Sequence, residues 1–284
     1  MLGTALWGWG VNRNDAYELL ENFFENGGAS IDTATNYPIN KCNQDFGTAI
    51  KWLEDWKASN PNSKFSLIIK IGSIDNMGSA EIDLSAKNII ATKNRLRDKF
   101  EDSLSCISIH WDNRGGDMND SCLIDETVEA MSKIEASGIA IGISGIKFPE
   151  LYYKSNPALA DKWMIQVKEN FSTCLARDTY QDFFPRAKYL AYGINLGGLK
   201  TESPESDSSI ELRKISIPLS LIEKISNYIN LDHGFDPRPA TLNELALAIS
   251  HNNPSLSGAI IGPRNKKQLM NTLDYWGRLE QHVN

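Results

Sequence analysis

Eight short and nearly continuous apolar runs punctuate the chain, at residues 4–7, 29–32, 65–71, 106–110, 139–144, 163–167, 189–192 and 258–261. Runs that are apolar throughout, rather than alternating, suit strands covered on both faces of a parallel sheet. Amphipathic stretches lie between them. In the first, Ala16, Leu19, Leu20, Phe23 and Phe24 follow a helical stripe, with Asp15 and Glu18 spaced as a capping box and Gly27-Gly28 as a stop. A second starts at Ser85 as N-cap and runs through Ile89, Leu96 and Phe100, and others cover 123–137, 148–156, 219–230, 241–252 and 265–276. Strand-helix alternation with eight strands leaves a closed (β/α)8 barrel or a doubly wound open sheet. No GxGxxG follows the first run, and eight is the closure number of the barrel. The expectation is an α/β fold, a (β/α)8 TIM barrel, as a single domain over residues 1–284.

Composition narrows the function classes. The chain has 284 residues, 41% apolar and 23% charged, with a formal net charge of −7. That balance suits a soluble folded protein and argues against a nucleic-acid partner, which would call for a basic patch. Cys42, Cys106, Cys122 and Cys174 lie far apart without a CxxC pair, so neither a thiol zinc site nor a disulfide framework is expected. The first residues lack the basic and apolar regions of a signal peptide, and no apolar run reaches membrane-spanning length. A cytoplasmic location is expected. The polar, acidic segment 201–211 has no periodicity and reads as a long exposed loop after the seventh run.

In such a barrel the chemistry sits where strands end. The second run ends at Asp32, with Tyr37 in the following loop; Lys70 lies near the end of the third and His110 ends the fourth. The fifth ends at Ser144, the sixth carries Gln166 and the seventh ends at Tyr192. Alone, Asp32 reads as a turn residue and His110 as a satisfied histidine, whereas the Lys70 ammonium needs a partner, for which Asp32 is the obvious one. Together, Asp32, Tyr37, Lys70 and His110 make a proton-transfer site, because a lysine ammonium favours a phenolate and so draws the phenol pKa downward, while a carboxylate holds the lysine. Asp32 and His110 alone are too few ligands for a metal site, and none is expected.

These residues and their order resemble the aldo-keto reductases over about residues 2 to 275. The segment Ala29-Ser-Ile-Asp-Thr-Ala-Thr-Asn-Tyr37 is similar to the one carrying that family's catalytic Asp and Tyr; Ile69-Lys70, Ile109-His110-Trp111, Ile141-Gly-Ile-Ser144 and Ile261-Gly-Pro-Arg-Asn-Lys-Lys-Gln-Leu269 resemble its later motifs. The resemblance implies an NADPH-dependent carbonyl reductase acting on a small-molecule carbonyl substrate. Tyr37 would be the general acid, Lys70 would lower its pKa, Asp32 would pair with Lys70 and His110 would orient the carbonyl. Ser144 and Gln166 would bond the nicotinamide carboxamide, and Tyr192 would stack on its ring. Gly3, Thr4 and Ala5 would approach the cofactor, and Asn195, Leu196 and Gly197 would lie along the pyrophosphate. Arg264, following Gly262, would meet the adenosine end with Asn265 and Gln268. Gly145 and Asn271-Thr272 stand where the family usually has Asn and Glu-Asn. NADPH over NADH rests on Arg264 with Lys266 and Lys267, and NADH stays open.

Trp7, Trp9 and Trp111 fall near the expected carbonyl and read equally as a substrate wall or as core. Two other functions stay in view. A Schiff-base lyase of the class I aldolase type would use Lys70 as nucleophile. A cofactor-holding binding protein would keep the site with residual turnover.

Overall fold

The structure is a computed structural model, and it describes residues 1–117, 119–199, 218–231 and 234–281. The acidic segment 201–211 lies outside the described residues.

The strands are β1 (Leu2–Gly3), β2 (Ser30–Ala34), β3 (Ser66–Ile71), β4 (Leu104–Asp112), β5 (Ala140–Ile146), β6 (Trp163–Asn170), β7 (Thr173–Cys174), β8 (Lys188–Tyr192) and β9 (Leu256–Ala259). All but β7 join one sheet in chain order through parallel pairs, while β7 makes a short antiparallel ribbon on β6. The order closes on itself. Leu2 bridges Ile261 in parallel, the Gly3 amide donates to Ile261 O at 2.8 Å, and the Ile261 amide donates to Met1 O at 3.0 Å. A Cβ on Gly3 would sit 2.8 Å from Ile260 Cγ2 and 3.3 Å from Ile261 O, so the seam closes only over a residue without one.

The helices α1 (Arg13–Glu25), α2 (Thr48–Ser59), α3 (Ala86–Phe100), α4 (Asp120–Ala136), α5 (Pro149–Ser155), α6 (Leu219–Asn230), α7 (Leu242–His251) and α8 (Lys266–Gln281) flank the sheet. The fold is the expected (β/α)8 barrel. No described helix is long and apolar enough to cross a membrane.

Side-chain parity explains why the strands look apolar and yet carry a polar site. In β3, Leu67, Ile69 and Ile71 belong to the large core between sheet and helices, together with Ile31, Ile107, Ile109, Ile141, Ile143 and Ile165. Each such side chain contributes roughly 1.5–3 kcal/mol when fully buried. The alternate residues form a separate cluster of Ile68, Cys106 and Leu190 with Met164 and Ile260, drawn from four strands and the residue after β9, on the inner face of the barrel. Asp32, Lys70 and Gln166 have this second parity. They are polar groups carried inward by strands whose other face is oil.

Two expectations need correction, and one helix was not expected. Residues 4–7 are not the first strand. The Thr4 amide still pairs with Asp32 O, but the chain then turns, with the amides of Trp9, Gly10 and Val11 all donating to Leu6 O, so β1 lies earlier. Helix α1 is capped by Asn12, whose side chain accepts from the Asp15 amide at 3.0 Å, rather than by an Asp15–Glu18 box. Helix α2 carries a buried stripe of Ala49, Ile50, Leu53 and Trp56 that was not anticipated; it starts after Gly47 at φ 74° without a side-chain cap, so the usual start signal is missing.

Candidate active site

Strand register brings the ionisable residues to one place. Lys70 lies level with Ala34 on β2 and Ser108 on β4, with Asp32 two residues below on the same face of β2. The Lys70 ammonium donates to Asp32 Oδ2 at 2.5 Å, and both side chains are at most 5% exposed. The other carboxylate oxygen is also taken: Gln166 Nε2 donates to Asp32 Oδ1 at 2.6 Å across the barrel. Burial acts to lower the Lys70 pKa, yet the charge and hydrogen bond of Asp32, with Tyr37, outweigh it and hold Lys70 above its ordinary value. Cys106 lies within reach of the same charges, and burial pushes its thiol up to about 12, so it stays protonated and unreactive.

Tyr37 is buried, with its ring centroid 5.1 Å from Lys70 Nζ and its edge toward His110 at 5.3 Å and 80°. Its loop is clamped to the loop after β3. Asn36 donates to Asp75 O at 2.9 Å, and Asn76 Nδ2 donates to Pro38 O at 3.1 Å and Cys42 O at 2.7 Å. The expected lowering of the phenol pKa does not prevail in the protein without ligand. Burial raises it more than Lys70 lowers it, and Asp32 adds to the rise. His110 is 7% exposed; burial first, then the Lys70 charge, keep it well below the usual imidazole value, so the ring is neutral. Its Nδ1 lies 3.3 Å from Ser73 Oγ.

The nicotinamide candidates sit on adjoining strand ends. Ser144 is 8% exposed, and its main-chain carbonyl accepts from Tyr180 at 2.9 Å, which fixes the backbone that carries its hydroxyl. With one N–H of Nε2 given to Asp32, Gln166 still offers its oxygen and its second N–H. A hydroxyl and an amide oxygen match a carboxamide, which both accepts and donates, so the donor set fits that group. Tyr192 ends β8 level with Lys168 on β6 and is half-buried; burial raises its phenol pKa, and the Lys70 charge draws it back in part. At Gly145 a Cβ would meet Trp111 Cβ at 3.3 Å, a tight approach, so the glycine lets Trp111 lie close to β5.

The remaining candidates divide. Thr4 is fully buried and donates to Thr33 Oγ1 at 2.7 Å, and Gly3 serves the seam, so both are spent on the barrel, while Ala5 packs at its edge. Asn195 accepts from the Gly198 amide at 3.1 Å and donates to Asn243 at 3.3 Å, fixing a turn in which Leu196 and Gly197 have φ of 53° and 80°. Asn265 accepts from the Gln268 amide at 3.0 Å, and Gln268 accepts from the Arg264 amide at 2.9 Å, so the two side chains cap the start of α8. Arg264 Nε donates to Gly10 O at 3.2 Å across the barrel seam, and Gly262 has open space around it. Of the tryptophans, Trp7 is core at 1% exposure; Trp9 and Trp111 are half-buried, and Trp111 lies on His110 with centroids 4.2 Å apart.

Sequence reasoning missed Ser73, Asn36, Asn76 and the buried Asp112. Asp112 ends β4 two residues after His110 and is held by Arg114 at 2.7 Å and Tyr152 at 2.7 Å, which fixes the start of the next loop. Ser73 and Asp112 carried a signal in their positions, each two residues past the end of an apolar run.

The sequence matches the profile of the Aldo/keto reductase family over residues 1–282. No curated protein matches it. Two solved structures from Pseudomonas aeruginosa, each assigned to the aldo-keto reductases, superpose with TM-scores of 0.63 and 0.62 at 16% identity, covering 98% of this chain and 90% and 89% of theirs. At that identity they speak for the fold alone.

Proposed function

The chain belongs to the aldo/keto reductase family, and from that premise we propose that it reduces an aldehyde or ketone to an alcohol with NADPH, Tyr37 acting as general acid. The observation that carries the reading is the buried Lys70–Asp32 pair with the Tyr37 ring 5.1 Å from the ammonium. When bound, the reduced nicotinamide supplies the hydride to the carbonyl carbon. Tyr37 gives its phenolic proton to the carbonyl oxygen, and the Lys70 ammonium, kept charged by Asp32, stabilises the phenolate left behind. The neutral His110 orients the oxygen. This role uses the tautomer with its proton on Nε2, offered to the substrate, while Nδ1, 3.3 Å from Ser73 Oγ, accepts from that hydroxyl. Ser144 and the Gln166 oxygen hold the carboxamide, Tyr192 covers the ring, and Trp9 and Trp111 bound the substrate space. Arg264 meets the 2′-phosphate, aided by Lys266 and Lys267.

Lys70 favours this over a Schiff-base lyase. Its pKa is raised, so the amine is protonated and cannot attack a carbonyl.

Titrating the intrinsic fluorescence with NADPH and then NADH tests the cofactor assignment, because Trp111 lies against His110. Saturable quenching is expected with NADPH and weaker quenching with NADH, and Arg264→Ala should bring the two together. Equal quenching of the unmodified protein by both would remove the 2′-phosphate role of Arg264. No binding of either would sink the reductase.

A further inference from the structure

Asp32 is the anion on which Lys70 depends, and what fixes Asp32 is not on its own strand. Gln166 reaches it from β6, 134 residues away in sequence, with Nε2 at 2.6 Å from Oδ1. Gln166 is 2% exposed and Asp32 4%, so neither side chain has water as a substitute partner. An ionised carboxylate only accepts, so the amide must present its NH2 end, and its orientation is set without ambiguity. Lys70 alone would leave one buried carboxylate oxygen without a donor, a costly state, and free to rotate away from the ammonium.

We propose that Gln166 is a positioning residue for proton transfer, holding Asp32 so that Lys70 stays charged and aimed at Tyr37. It acts through Asp32, and this function adds to the carboxamide contact of its oxygen. The proposal rests on the reductase reading for its catalytic consequence and on the hydrogen bond alone for its structural part.

Gln166→Glu separates the roles, because a carboxyl can donate to Asp32 only while protonated. The other groups whose charge bears on this pair are the Lys70 ammonium on β3, Cys106 and His110 on β4, Tyr37 after β2, Tyr192 on β8 and the Met1 amino group at the seam. With two carboxyl groups 2.6 Å apart in place of the present amide–carboxylate bond, one proton is shared at acid pH and is lost as the pH rises. The enzyme then faces an extra buried anion. Its kcat for carbonyl reduction is expected to fall about tenfold or more below the unmodified enzyme at pH 8 and to recover most of that loss at pH 5.5, following the ionisation of the pair. Gln166→Met, which donates at no pH, should be slow at both. If Gln166 served the carboxamide alone, Gln166→Met would raise the KM for NADPH and keep kcat, which would overturn the proposal. A loss identical at both pH values would overturn it as well.

Thermal unfolding of the ligand-free variants supplies the readout without turnover. The Tm deficit of Gln166→Glu should grow from pH 5.5 to pH 8, while that of Gln166→Met stays constant. A Gln166→Glu deficit that does not change with pH would show that position 166 does not face Asp32 and would overturn the proposal outright. If the deficit grows but the unmodified protein reduces no carbonyl, the pairing stands and it is the reductase reading that has failed.

Discussion

A Tyr37→Phe enzyme is expected to lose about 10²–10⁴-fold in kcat for carbonyl reduction, the range that a positioned proton donor contributes, with NADPH affinity unchanged. The substitution removes one oxygen and keeps the ring that packs edge-on to His110. The loop keeps its clamp, since Asn36 and Asn76 bond to main-chain carbonyls on either side and not to the phenol. Unmodified Tyr37 also predicts a pH profile. Burial raises its pKa above the ordinary value of 10, and Lys70 only partly reverses this. The proton-donating form therefore persists through neutral pH, and kcat for reduction should stay level from about pH 6 to 9. His110 adds no inflection near its usual range, because burial and Lys70 hold it well below 6.5 and it is already neutral. A Tyr37→Phe enzyme as fast as the parent would remove Tyr37 from the mechanism.

Lys70→Met should cost both activity and stability. The chain length is conserved but the ammonium is gone, leaving Asp32 with a single donor, Gln166, in a site that is 4% exposed. Breaking a buried ion pair from one side typically costs about 3–5 kcal/mol, because the remaining charge has no compensation. A lower denaturant midpoint is expected together with loss of reduction. Asp32→Asn combined with Lys70→Met should restore much of the midpoint, since the remaining charge is removed, and none of the activity. That asymmetry distinguishes a catalytic lysine from a structural one. If the single variant unfolded at the parent midpoint, or the double variant turned over, the assigned role of the pair would be wrong.

The parts of this protein that were legible from sequence share one physical cause. Asp32, Lys70 and His110 stand out because strands apolar on one face carry them inward, where an ionisable group needs a reason to be. The same apolarity misled at residues 4–7, since a turn stacked on a barrel seam is as oily as a strand; only the three amides converging on Leu6 O distinguish them. Helix α2 escaped notice because Gly47, not a side-chain cap, begins it. The Gln166–Asp32 bond was invisible for a different reason. It joins residues 134 apart across the barrel, and no local pattern encodes a contact between opposite strands. Ser73 and Asn76 belong to the same class, polar residues in loops whose meaning depends on which loop lies opposite. The direction of the Tyr37 pKa was misjudged because the charge of Lys70 was weighed and the burial that opposes it was not.

The central claim is that a hydride passes from a reduced nicotinamide to a carbonyl carbon at this site while Tyr37 supplies the proton. Incubating the protein with NADPH deuterated at the nicotinamide C4 and a panel of aldehydes and ketones, then locating deuterium in the alcohol product by NMR, tests it most directly. Deuterium on the carbinol carbon, formed by the unmodified enzyme about 10²-fold or more faster than by Tyr37→Phe, is the predicted result. No transfer to any carbonyl from a protein shown to bind NADPH, or equal transfer by both enzymes, would contradict it.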